Sequence, residues 1–387
     1  MNKTRYTLSQ GNSMLINILR LFAAQMVLFG HSINFSGVFS RLKPPYMGYI
    51  ENFSVIILFV ISGFLIFYSL DKKEDITFGS FFMNRFSRIY SALIPCLLLI
   101  ILLDFINLKY FNYQYKDSFN LKTLICNIFL FQDLPIKTIN SVTLNIFNFK
   151  LLNFNSLTSF GSARPLWTVA IEWFIYLFYG YLYLIMIKKK KLTIGNWLIF
   201  FLLSIIPLSN VITGRGNGLL LYWFTGGIIF YLIKNIKSKF NVQVLVFLGS
   251  LSLFFALLYS MATANYYDSK FVLLFSLGFF LFLVALKDNE SKIIFKINTV
   301  LKKFTKYTYT LYLIHYSIID LLMQVLRLEK VENKYIVLLI CIITSNVIAL
   351  VMYEFGEKYS YKINLKLNKI FLHNKTSKLY QNETLSN

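Results

Sequence analysis

Residues 14–35 read MLINILRLFAAQMVLFGHSINF, an apolar run of membrane-crossing length that is nevertheless interrupted by Arg20 and His31. A spanning helix needs about 20 apolar residues. An α-helix turns 100° per residue, so eleven steps bring a side chain back to within about 20° of its start, ~16 Å further along the axis. Arg20 and His31 therefore share one face of one helix. A charge at the bilayer centre costs about 2.5–3.5 kcal/mol on insertion scales, so such residues turn to a polar interior and mark a pathway or a reaction site.

The rest of the chain repeats the apolar pattern. Of 387 residues, 57% are hydrophobic and only 14% charged, against about 25% charged in soluble domains. The composition is that of an all-α polytopic membrane protein embedded in a lipid bilayer. A formal net charge of +22 would suit a nucleic-acid binder, but the lysines lie in short loops between apolar spans, as the positive-inside rule describes, so no nucleic-acid partner is expected. Ten spans are legible, at roughly 14–36, 48–70, 88–107, 165–187, 195–212, 218–234, 242–262, 270–287, 306–326 and 335–355. Ten crossings put both termini on one side. If that side is cytoplasmic, it holds 25 of the 39 Lys and Arg and the opposite side 13. The segment 121–132 is too short to cross and reads as interfacial or re-entrant.

Residues 1–360 read as one membrane domain, with a long extracytoplasmic loop at about 108–164 that suits an acceptor site and a packing cap equally. The polar tail 361–387 reads as surface-lying or disordered. The acceptor-like triplets at Asn374 and Asn382 fall on the cytoplasmic side, where glycosylation is not expected. No cleavable signal peptide is expected, because the first apolar run is long and holds Arg20 and His31. Cys96, Cys126 and Cys341 sit in apolar segments without ligand-like spacing, which argues for packing and against disulfides or zinc. There is no internal repeat and no metal-site pattern.

Four further clusters carry polar chemistry. The third span opens with Arg85 and Arg88, at i and i+3 on one face at the inner rim, where guanidinium forks suit phosphate but equally anchor a helix. The fourth begins Arg164-Pro-Leu-Trp167-Thr168 and places Glu172 in the outer half. Thr168 is one turn before Glu172 and able to bond it. A carboxylate there must be paired, protonated or wet. Trp167 reads as an aromatic-belt residue or a ligand contact. The ninth span carries Tyr312 and His315, the latter near mid-membrane and readable as a hydrogen-bonded core residue or a site residue. Ser62 and Gly63 in the second span read as small residues that let helices approach.

This ordered set resembles the acyltransferase family 3 membrane proteins, which O-acylate bacterial carbohydrates. The resemblance rests on Arg20-x10-His31, Phe59–Leu65 around Ser62-Gly63-Phe64, Arg85-x-x-Arg88, Trp167-x4-Glu172 and Tyr312-Leu-x-His315, and covers roughly 14–355. Thr168-Val169 stands where the family more often has Ser-Leu, and Trp173 where many members carry a second acidic residue. The resemblance implies a multi-pass protein of the bacterial cytoplasmic membrane that takes an acyl group, most simply acetyl, from acyl-CoA inside and passes it to a hydroxyl outside, on O-antigen, capsule or exopolysaccharide. On that reading Arg85, Arg88 and Arg20 hold acetyl-CoA. His31 is the catalytic base or an acyl carrier, and Glu172 orients it. Trp167, Tyr312 and His315 lie on the acceptor side. A transporter or flippase would also place Arg, Glu and His inside the membrane, but such proteins often show internal repeats and broken helices. A glycan ligase or polymerase would also use a large outer loop, without needing Arg20-x10-His31.

Overall fold

Every regular element in the computed structural model is helical, with no strand among the described residues. The structure describes residues 6–38, 50–72, 75–132, 158–188, 191–212, 216, 218–236, 240–263 and 267–371. His373 and the triplets at Asn374 and Asn382 lie outside them, as does much of the loop at 108–164.

The opening run forms α1 (Gln10–Ser36). Ser9 caps it by accepting the Asn12 N–H at 3.1 Å, and Gly37, at φ 65°, ends it by donating its N–H to the Ile33 carbonyl at 2.9 Å; a left-handed terminus of this kind favours glycine. There follow α2 (Ile50–Lys72), α3 (Phe78–Tyr110), a short α4 (Leu121–Ile128) and α5 (Leu166–Tyr181), which continues as a π-helical turn to Ile187. Then come α6 (Ile194–Ile212), α7 (Leu219–Asn235), α8 (Val242–Ala262), α9 (Ser269–Ala285), α10 (Lys292–Thr305), α11 (Thr308–Leu328), α12 (Lys334–Phe355) and α13 (Ser360–Phe371). Among the described residues, eight helical stretches are long and apolar enough to cross a membrane, and α7 and α9 are apolar at 17 residues each. Each of the ten apolar stretches read from the sequence is helical.

Three boundaries differ from the sequence reading. α3 starts at Phe78, ten residues ahead of the expected span, so Arg85 and Arg88 sit two turns inside the helix and not at its opening. The segment 287–306, read as a loop, contains α10. This amphipathic helix exposes Ile293, Phe295, Val300 and Phe304 while burying Asn298 against Asn17 and Ser13 of α1. The start of the tail is α13, which packs along α3 and buries Asn364 and Asn368.

α1 lies at the centre, packed by α2, α10, α11 and α12, while α11 also packs on α3. α2 and α7 make the most intimate pair. A Cβ on Gly63 would fall 1.9 Å from the Trp223 carbonyl oxygen, and one on Gly226 would fall 2.0 Å from that of Val60. Backbones meet directly there, the use of small residues that membrane helices make in place of a hydrophobic driving force.

α5 starts inside the protein. The chain leading into it buries Ser159, Phe160, Ser162 and Ala163. Asp104 of α3 holds this segment, accepting the Ser162 N–H at 2.9 Å and its hydroxyl at 2.5 Å. Gln132 donates to the Leu166 carbonyl at 2.9 Å.

Candidate functional site

α1, α2, α3, α5 and α11 enclose a cavity of about 390 Å³, lined by Arg20, Ser62, Arg85, Arg88, Glu172 and Tyr312 among others. The three arginines, far apart in sequence, thus meet in one space. Among the described residues no carboxylate lies within ion-pair distance of any of them; the ion pairs there are Lys234–Asp71, Lys306–Glu354 and Lys358–Glu354. Arg85 donates to the Asn84 side-chain oxygen and lies over the rings of Phe81 and Tyr176, 5.9 and 5.8 Å from their centroids. Its Nε is buried without a partner. Behind them Glu357 is buried, accepting from the Thr310 N–H at 3.2 Å and hydroxyl at 2.8 Å, with Arg88 and Arg20 in its electrostatic field.

Glu172 lines this cavity. Its Oε1 accepts the hydroxyls of Ser62 at 2.6 Å and Tyr176 at 2.5 Å. The expected bond from Thr168 is absent: the Thr168 hydroxyl bonds the Pro165 carbonyl at 2.9 Å and the Tyr312 hydroxyl at 2.6 Å. The Thr168 hydroxyl is taken by these two oxygens and is not offered to Glu172. Gly63 is a packing residue as expected, but Ser62 is more than that. Besides Glu172, its oxygen meets the Tyr176 hydroxyl at 2.8 Å and the Trp223 indole N–H at 3.2 Å.

His31 does not line the cavity. It stacks on His315, with ring centroids 5.3 Å apart and planes at 28°, and meets Tyr316 edge-on at 5.2 Å. Tyr312 lies between the two regions. Its hydroxyl faces the cavity wall at Thr168, and its ring is 5.9 Å from that of His315. Trp167 is 5% exposed and packs against Tyr267 at 6.1 Å, within the protein and off the cavity lining.

Sequence reasoning passed over Tyr176 and Trp223, which are two aromatics among many. It also passed over Glu357 and the buried carboxylates Asp104 and Asp320. Asp320 accepts from Asn107 at 3.0 Å and Gln114 at 2.9 Å, tying α11 to α3 and the loop after it. Both aspartates stand inside apolar spans, so the argument that singled out Arg20 would have found them. No group of His, Cys, Asp and Glu arranged to hold a metal ion occurs among the described residues.

The site is thus a guanidinium-lined cavity, linked through Tyr312 to a pair of stacked imidazoles. A sequence profile described as an acyltransferase domain matches residues 15–354, nearly the whole membrane region. The chain belongs to the acyltransferase 3 family. It is 32% identical over 190 residues to an O-acetyl transferase of Shigella phage Sf6, an alignment covering 48% of this chain and 50% of that protein. The chain thus spans about half the length of that curated relative in the matched region. No solved structure matches the chain.

Proposed function

We propose that this protein is a membrane O-acyltransferase that moves an acetyl group from acetyl-CoA to a hydroxyl of a bacterial surface carbohydrate. The observation that carries the reading is the gathering of Arg20, Arg85 and Arg88 around one cavity with no carboxylate in ion-pair range among the described residues. Three guanidinium groups share the cavity with one carboxylate, Glu172, and have Glu357 behind them, with none of them ion-paired; that surplus of positive charge suits an anion, and guanidinium forks suit phosphate oxygens. The phosphates of coenzyme A fit that demand. The family membership and the phage relative's printed activity point the same way.

On this reading both termini are cytoplasmic, the membrane is the inner one, and acetyl-CoA enters at the arginine end. The pantetheine arm runs along the cavity past Ser62 and Glu172 toward Tyr312. His31, on the helix that carries Arg20, meets the acetyl group. An imidazole can act as both a base and a nucleophile. The hydroxyl oxygen forms the ester bond, the carbon–sulfur bond breaks, and the hydroxyl proton ends on the departing sulfur. Glu172 acts through Ser62 and Tyr176, as a positioning carboxylate at the level of the pantetheine arm.

The test is His31→Ala in cells lacking the native copy, with insertion confirmed and alkali-labile esters measured on the surface glycan. Loss of ester to below about one hundredth is expected, since acid–base groups contribute typically 10²–10⁴-fold. Undiminished acylation removes His31 from the reaction.

A further inference from the structure

The stacked imidazoles differ in a way that separates their roles. His315 is 1% exposed, and its Nδ1 lies 3.1 Å from the Leu311 carbonyl oxygen and 2.9 Å from that of Tyr312. Carbonyls only accept, so Nδ1 must carry the proton that makes these contacts. A second proton on Nε2 would leave a buried cation without an acceptor, stacked 5.3 Å from another imidazole, which is costly in a low dielectric. His315 is therefore the neutral tautomer, with its lone pair on Nε2.

No donor among the described residues reaches that lone pair, and Nε2 is buried. An unsatisfied buried acceptor is costly, and a catalytic role is one reason for a fold to sustain it. His31 and Tyr316, the rings packed beside His315 and beside one another, are only half-buried.

We propose that His315 is a second catalytic residue: its Nε2 receives the proton of the attacking acceptor hydroxyl, while His31 meets the acyl carbonyl. The oxygen–hydrogen bond breaks toward Nε2 as the new carbon–oxygen bond forms and the carbon–sulfur bond opens. The proton then passes from Nε2 to the thiolate, and the ring ends neutral. This rests on the acyl-transfer reading and divides the labour within it.

Two substitutions separate the nitrogens. His315→Asn keeps an amide N–H near the Nδ1 position for the Leu311 carbonyl and removes Nε2. His315→Gln places an amide near Nε2 that forms hydrogen bonds but takes no proton. Full-length variants are expressed in cells lacking the native copy. Alkali-labile ester on the surface glycan is measured, together with acetyl-CoA binding to the purified chains. Both variants are expected to lose ester at least 100-fold while binding acetyl-CoA within about twofold of the parent, the range of a lost general base. If the parent chain itself adds no ester, the acyl-transfer reading fails. If the parent is active and either variant retains half its ester or more, the role of Nε2 is refuted. Nitrogen-15 NMR of histidine-labelled protein, assigned through the same variants, provides a readout independent of activity and folding. Protonated Nδ1 with bare Nε2 is expected, and the reverse tautomer overturns the proposal.

Discussion

Replacing Ser62 with alanine distinguishes a small packing residue from a hydrogen-bonding centre. Alanine has the better helix propensity by roughly 0.5 kcal/mol, so a purely steric role predicts no loss or a slight gain in stability. The structure predicts the opposite. The carboxylate of Glu172 loses one of its two hydroxyl donors, the one at 2.6 Å, a charge-assisted bond worth about 1.5–3 kcal/mol. The Trp223 indole, fully buried, loses the oxygen it reaches at 3.2 Å, and an orphaned buried donor costs about 1–3 kcal/mol. Allowing for adjustment by Tyr176, which also bonds Glu172, the loss is about 2–5 kcal/mol in all. Thermal unfolding of the full chain in detergent reads it directly. Trp223→Phe removes the same indole bond from the other side, so the double variant should cost less than the sum of the singles by about 0.5–3 kcal/mol. A Ser62→Ala protein that melts at or above the parent, with effects additive to Trp223→Phe, would refute the reasoning.

Other expectations follow from the same geometry. Arg85→Gln and Arg88→Gln should each weaken acetyl-CoA binding about 10–100-fold, one charge-assisted contact apiece, as measured by calorimetry on purified protein; unchanged affinity in the double variant would leave the pair as membrane anchors. Gly63→Ala should abolish accumulation of folded protein, because its Cβ would lie 1.9 Å from the Trp223 carbonyl oxygen, whereas Gly195→Ala, with its nearest neighbour at 3.7 Å, should behave as the parent on size-exclusion chromatography.

How legible the site was depended on the range of the interaction. Arg20 and His31 share a helix face by arithmetic alone, and that face does look inward: Arg20 lines the cavity and His31 stacks on His315. Arg85 and Arg88 were singled out by spacing and charge, and the structure brings them to Arg20. Glu172 was recognised as a polar residue in an apolar span, but its hydroxyl partners Ser62 and Tyr176 were not, because Ser62 reaches it from another helix 110 positions away. Ser62 was read as a spacer because a serine beside a glycine in an apolar helix looks the same whether or not its hydroxyl has a partner. Asp104 and Asp320 were readable by the rule applied to Arg20. Their effect was not, since burying the Ser162 segment against Asp104 depends on a contact across 58 positions of chain.

Apolar runs, their lengths and the charges breaking them determined an all-helical membrane protein and the residue types at its centre. These follow from what a bilayer demands of each successive twenty residues, which is a local demand. Tertiary structure alone decided that three arginines share a cavity, that two histidines from α1 and α11 stack, and that Glu172 answers to Ser62 and Tyr176. Those pairings depend on how deep each helix sits and how closely α2 approaches α7. Such depths are settled by a few buried carboxylates and glycines acting across the bundle, at separations that no local pattern encodes.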